Sequence, residues 1–254
     1  MSATGPVAVT VVIAARNEAA NIADCVESVS WAKEVIVVEN DSTDDTVDIA
    51  RASGATVFAN PFETIGGQRN EAISRATTEW ILVVDADERA TPQLREEIRS
   101  VIETASKNAY RVPRKNFFLG SEINHGGWER DRPIRLFKSN LRYDASRVHE
   151  HVVVDGEIGE LANSLTHEPY SSIDSYLEKL GRYSKWWAED RYERGKRTTP
   201  FSALIRSRLR FASMYIVKLG FLDGEAGLLL ASLASTSVQM KYARLWEMQK
   251  RGGK

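Results

Sequence analysis

The sequence predicts an α/β fold, with a mostly parallel central sheet flanked by helices and a helical C-terminal extension. Three observations carry this expectation. Residues 7–13 (VAVTVVI), 34–39 (EVIVVE) and 80–85 (WILVVD) are nearly continuous apolar runs rich in β-branched residues, as strands covered on both faces require. Helix-like stretches separate these runs. After residue 170 the strand signals give way to amphipathic helical spacing.

Each element has a local reason. In 21–31, Ile22, Cys25, Val26 and Val29 recur on one helical face. Ser42, Thr43, Asp44 and Asp45 supply N-cap and first-turn acids before Val47, Ile49 and Ala50. Residues 55–58 (ATVF) read as a short strand, and 68–76 as a helix leading into the Trp80 strand. Residues 93–104 place Leu94, Ile98, Val101 and Ile102 on one side of a further helix. Residues 108–154 mix short strands with glycine and aromatic residues. A helix is expected over 171–194, with Leu177, Leu180, Tyr183 and Trp187 at helical spacing. Thr198-Thr199-Pro200 breaks it, and 201–250 reads as two or more helices around a turn at 220–227. The expected division is an α/β domain over 1–168 and a helical extension over 169–254.

Strands alternating with helices imply parallel crossovers, and in such sheets ligands gather beyond the carboxyl ends of the strands. Those ends carry Ala14-Ala15-Arg16-Asn17-Glu18, Glu39-Asn40-Asp41 and Asp85-Ala86-Asp87, so three polar clusters are expected on one rim. Asp85 and Asp87, flanking one small residue at a strand end, suit a hard divalent cation, Mg²⁺ or Mn²⁺, with water and phosphate oxygens completing the shell. Glu88 serves as a further ligand or as a helix cap. Glu39 is placed to accept hydrogen bonds from a base or ribose, or to cap the turn that follows it. Arg69 is placed either to fork onto phosphate or to hold an acidic residue of the rim.

Bulk properties narrow the class. A net charge of −1 gives no basic field for nucleic acid. The single Cys25 rules out an internal disulfide, and its helical position favours packing over reactivity. No apolar run approaches the ~20 residues needed to span a bilayer. No secretory leader is evident at residues 1–6, so the expected location is the cytoplasm, with any membrane contact peripheral.

Residues 11–18 (VVIAARNE), 37–44 (VVENDSTD), 68–70 (QRN) and 83–88 (VVDADE), in order and at suitable separations, resemble the family 2 glycosyltransferases. That resemblance implies a GT-A fold and transfer with inversion at the sugar anomeric carbon. It implies that Ala14, Arg16, Glu18 and Glu39 hold the nucleotide base, that Arg69 lies near the nucleotide, and that Asp85 and Asp87 lie near metal and diphosphate. The family commonly has Asp where this chain has Glu39. Segments 111–114 (RVPR), 125–128 (HGGW), 135–137 (RLF), 148–152 (VHEHV) and 218–224 (KLGFLDG) resemble the lipopolysaccharide core type of glycosyltransferase. The implied reaction moves a sugar from a nucleotide diphosphate donor, a UDP-sugar foremost, to a glycolipid or oligosaccharide acceptor such as a lipopolysaccharide core.

Inversion requires a base for the acceptor hydroxyl. Asp131, after the glycine turn, is the favoured candidate, and Glu150 is the second, orienting the acceptor. His149 is a candidate third metal ligand. Trp128 serves either to stack on an acceptor sugar or to pack the core. Arg206, Arg208, Arg210 and Lys218 beside Phe211, Met214, Tyr215, Ile216 and Leu219 suit either a membrane surface or a protein contact such as a homo-oligomer. A sugar nucleotidyltransferase would favour a glycine-rich phosphate loop with a basic residue after the first strand, and none follows Ile13. A dehydrogenase would carry a G-x-G-x-x-G there. A non-catalytic nucleotide-sugar-binding module at the membrane is the remaining alternative, and Glu39 is the feature that leans toward it.

Overall fold

The apolar runs form the strands predicted for them, with helices between. In chain order the elements are β1 (Val7–Ala15), α1 (Ile22–Ser28), β2 (Ala32–Glu39), α2 (Thr46–Ala52), β3 (Thr56–Ala59), α3 (Ile65–Arg75), β4 (Trp80–Asp85), β5 (Glu88–Ala90) and α4 (Pro92–Thr104). They continue with β6 (Ala109–Arg111), β7 (Arg114–Phe118), β8 (Ser121–Ile123), β9 (Ile134–Lys138), β10 (Gly159–Glu160), β11 (Leu165–His167), α5 (Ile173–Glu193), α6 (Pro200–Ala212) and α7 (Gly224–Gly252). This computed structural model describes residues 5–59, 64–144, 146 and 150–252.

The chain divides into two compact units, Met1–Arg114 with Arg132–His167, and Lys115–Asp131 with Glu168–Lys254. In the first, seven strands form one sheet in the order β10-β6-β9-β4-β1-β2-β3. The pairings of β1 with β2 and β4, of β2 with β3 and of β10 with β6 are parallel. Only β9, inserted between β4 and β6, runs antiparallel to its neighbours. Alternation along the central strands divides the core into two layers. Val11, Ile13, Val37, Leu82 and Val84 pack with Cys25 and Val26 of α1 and Leu94 and Ile98 of α4. Val12, Ile36, Val38, Ile81 and Val83 face the other way, onto Ala72 and Ile73 of α3. Each such aliphatic side chain contributes roughly 1.5–3 kcal/mol when fully buried, so both layers depend on unbroken apolar runs. The Thr91 hydroxyl accepts the Leu94 N–H and Pro92 opens the first turn, which fixes where α4 begins.

In the second unit, a capping box between Ser172 and Ser175 starts α5. Both α5 and α6 pack along α7, with Trp187 of α5 on Tyr242 of α7 at 4.8 Å between ring centroids. Between α6 and α7 the chain makes a π-helical turn, Ser213–Val217, and a 3₁₀ turn, Gly220–Asp223. Asp223 accepts hydrogen bonds from the backbone N–H groups of Asn124 and His125 and pairs with His125 Nδ1 at 2.8 Å. The 125–128 and 218–224 segments, separate in sequence, thereby form one junction. Trp128 packs with Phe118 and Ile123 in the apolar cluster of this unit.

The junction needs two glycines. A Cβ on Gly227 would lie 2.0 Å from the Gly220 carbonyl oxygen, and one on Gly220 would lie 2.6 Å from that of Met214. Neither obstacle is a flexible side chain. Gly227→Ala is therefore expected to destabilise the helical unit by about 3 kcal/mol, the upper range for overpacking. An unchanged thermal unfolding midpoint would contradict this close approach.

Candidate active site

Parallel register sets the carboxyl ends of β1, β2 and β4 side by side, pairing Ala15 with Glu39 and Ala14 with Asp85. The loops that follow are tied directly to one another. Asn17 Oδ1 accepts the Thr43 N–H at 2.8 Å, the Asn17 N–H reaches the Ser42 hydroxyl at 3.2 Å, and the Ala19 N–H reaches Asp44 at 3.1 Å. Asn17 and Asp41 take positive φ values of 55° and 51°, a conformation that Asn and Asp tolerate better than most residues. The third loop joins the first through Arg89, whose Nη2 donates to the Asn21 carbonyl at 3.0 Å, and through Cys25, whose thiol donates to the Asp85 carbonyl. Burial pushes the Cys25 thiol far above its ordinary pKa, so it packs and does not react. The three polar clusters meet on one rim.

The centre of the rim is a buried network of three arginines and three carboxylates. Asp85 Oδ1 accepts Arg69 Nη2 at 2.5 Å, and its Oδ2 accepts Arg114 Nη2 at 3.0 Å and a short contact from Arg135 Nη2. Glu88 Oε1 takes Arg135 Nη2 at 2.9 Å and Arg114 Nε at 2.5 Å, while Oε2 accepts the Asp85 N–H at 2.8 Å. Arg69 Nη1 donates to Glu150 Oε1 at 2.6 Å, and its guanidinium lies 5.1 Å from the centroid of the Tyr143 ring. The formal charges balance, as burial of so many ions demands. Burial disfavours the Asp85 carboxylate, but Arg135, Arg69 and Arg114 outweigh it and hold the Asp85 carboxyl far below the ordinary carboxylate range.

The residues singled out in the sequence fall in different surroundings. Arg69 holds acidic residues of the rim, and its neighbours Gln68 and Asn70 bond to the Val38 carbonyl and to both backbone groups of Tyr143. Glu39 is buried and accepts the Ser42 N–H, which caps the turn after β2. Glu18 accepts from the Asn21 side chain at the start of α1. Ala14 is partly buried at the end of β1, and Arg16 is exposed beyond it. Asp85 has both oxygens engaged by guanidinium groups, so a cation there would compete with three arginines. Asp87 instead lies 3.7 Å from His167 Nε2. Burial lowers the His167 pKa despite the pull of Asp87, which keeps the imidazole neutral near pH 7. His149 lies outside the described residues. Glu150 belongs to the network of the first unit, and Asp131 ends the 115–131 segment of the second.

Glu88, expected as a metal ligand or a helix cap, is a wholly buried partner of two arginines. The sequence marks Arg114 and Arg135 only as parts of the segments that carry the family resemblance, and no local pattern marks His167. A signal for Arg135 was present: it interrupts the apolar run of β9, where a buried guanidinium requires carboxylate partners.

Residues 10–159 match the family described as glycosyl transferase family 2. The chain belongs to that family. An uncharacterized glycosyltransferase of Rickettsia typhi is 28% identical over 93% of this chain and 86% of its own length. The lipopolysaccharide core biosynthesis glycosyltransferase LpsC of Rhizobium meliloti is 26% identical over 89% and 90% of the two chains. Among solved structures, glucosyl-3-phosphoglycerate synthase of Mycobacterium tuberculosis in complex with Mn²⁺ and uridine diphosphate matches with a TM-score of 0.36 and 24% identity, over 43% of each chain. The chain thus spans under half the length of that structure. The family 2 glycosyltransferase described here has the mixed α/β architecture expected of it, with a mostly parallel sheet and a long C-terminal helix.

Proposed function

We propose that this protein is an inverting, divalent-metal-dependent glycosyltransferase that moves a sugar from a nucleotide diphosphate donor, a UDP-sugar foremost, to a glycolipid or oligosaccharide acceptor of the lipopolysaccharide core type. The observation that carries the reading is the meeting of the three strand-end loops at the Asp85–Asp87 segment, in a chain that belongs to family 2. Open α/β sheets bind nucleotides at such a rim.

The residues present fit a cation at Asp87. Its carboxylate and the neutral His167 imidazole form an oxygen and nitrogen donor pair suited to Mn²⁺. Among the described residues no group of three or more acidic, His or Cys side chains forms a ready-made cage. A sparse protein donor set is compatible with Mg²⁺ or Mn²⁺ that draws its other ligands from water and phosphate. When bound, such an ion supplies positive charge against the leaving diphosphate. The chain's own groups do the rest. Exposed Arg16 and the Glu39 carboxylate are assigned to the nucleotide, and Arg69 fixes Asp85 and Glu150 in one geometry. Arg69 already engages Glu150 Oε1 at 2.6 Å, so Glu150 is assigned to positioning the acceptor, and Asp131 is the proposed base for its hydroxyl proton.

The test is turnover with a panel of UDP-, GDP- and dTDP-sugars and a lipopolysaccharide-core acceptor. Activity is expected with one donor class, lost with EDTA and restored by Mn²⁺ or Mg²⁺. In the same assay Asp131→Asn should lose turnover more severely than Glu150→Gln. Full activity in EDTA removes the metal from the reaction, and the reverse order of the two variants transfers the base role to Glu150.

A further inference from the structure

The second unit presents an apolar face whose polarity is reversed for a helix packed in a globular protein. Along α6, Ala203 and Ser207 are buried against the unit, while Phe201, Ile205 and Leu209, at successive i, i+4 positions on the opposite side, are exposed by 71%, 43% and 63%. The helix continues without a break into the π-helical turn, where Ile216 and Val217 are 59% and 76% exposed. Leu219 then takes a left-handed conformation with φ of 57° and remains largely exposed, as do Phe221 and Leu222. A strained leucine whose side chain does not fill the core points to a purpose other than packing. Single exposed apolar residues are ordinary, but a run of this length marks an interaction surface.

The charge pattern says what covers it. Between Glu193 and Asp223 there is no acidic residue, and the same segment carries seven Lys and Arg residues, including the exposed Arg206, Arg208, Arg210 and Lys218. A two-fold contact between copies through this face would set those cations against their own counterparts, a repulsive arrangement. A surface of anionic headgroups over an apolar layer is complementary to both features at once. Among the described residues, no helix is long and apolar enough to cross a membrane, so the contact is interfacial. We infer that α6 and the turn after it, from Phe201 to Leu222, form a docking surface for an anionic phospholipid bilayer. This inference does not depend on the donor chemistry proposed above.

Co-sedimentation of the full chain with vesicles tests it. Binding is expected to phosphatidylcholine vesicles containing about one quarter phosphatidylglycerol and to weaken with added salt, with little binding to phosphatidylcholine alone. The combined Phe201→Ser, Ile205→Ser and Leu209→Ser variant should bind about tenfold more weakly or worse, with an unchanged circular dichroism spectrum and melting midpoint. The exposed positions make misfolding avoidable, and a variant with Arg206→Gln, Arg208→Gln and Arg210→Gln should lose the preference for anionic lipid. No binding to anionic vesicles at low salt, or equal binding to neutral ones, overturns the inference. A lipid-free dimer that the serine variant converts to monomer also overturns it, assigning the face to a second copy.

Discussion

Arg135→Met is expected to lower the stability of the sheet unit by about 3–5 kcal/mol, the range for removing one partner of a buried ion pair. The reason lies in what the substitution leaves behind. Arg135 is almost wholly buried and bonds at once to Asp85 and to Glu88, the latter with no exposed surface at all. Methionine fills much of the volume, so the loss measures uncompensated charge more than a cavity. Arg69 and Arg114 still hold Asp85, and Arg114 still holds Glu88, which keeps the effect from being larger. Denaturant unfolding at neutral pH measures it. A loss below about 1 kcal/mol would mean that the network relaxes around the gap and that its geometry is not demanding.

The same network predicts how stability responds to acid. Asp85 has its carboxyl held well below the ordinary value of 3.8, so the unfolded chain takes up the proton first on acidification. Its contribution is fully present above the unfolded value and declines as pH falls through and below it. In Asp85→Asn this part of the decline should vanish, and the variant should start from a lower stability at neutral pH because three arginines lose a shared partner.

The rim was legible in the sequence because it is built from local signals. The runs ending at Ala15, Glu39 and Asp85 announce strands by composition, and polar residues begin where each run stops. The alternatives for Arg69 included its observed role toward acidic rim residues. The partners of Asp85 were not legible, because they are set by pairing between distant segments. Arg114 lies 29 residues away and Arg135 lies 50 residues away, the latter on an antiparallel strand inserted between β4 and β6. No helical or strand periodicity encodes that insertion. The 115–131 segment likewise carries no local mark of its membership in the helical unit, which is fixed by bonds such as those from Asn124 and His125 to Asp223.

Asp87→Ala is expected to reduce kcat by about 10³-fold, comparable to losing a main electrostatic stabiliser of the transition state. Its melting midpoint should stay within about 2 °C of the parent, well above that of Asp85→Ala. The two carboxylates, separated by one residue, stand in contrasting surroundings. Asp85 is fastened by three guanidinium groups and held in its charged form, which suits it to organise the rim. Asp87 stands 3.7 Å from the Nε2 of His167, an imidazole that burial keeps neutral. A carboxylate beside a neutral imidazole, just beyond the end of β4, offers the donors that a divalent ion and its diphosphate require. Asp85→Ala should therefore lose stability and turnover together, whereas Asp87→Ala should lose turnover alone. Parallel kinetic and thermal measurements on the two variants separate these roles. Normal turnover by Asp87→Ala at saturating metal would leave the ion without its proposed ligand and shift the search for one to other residues of the rim.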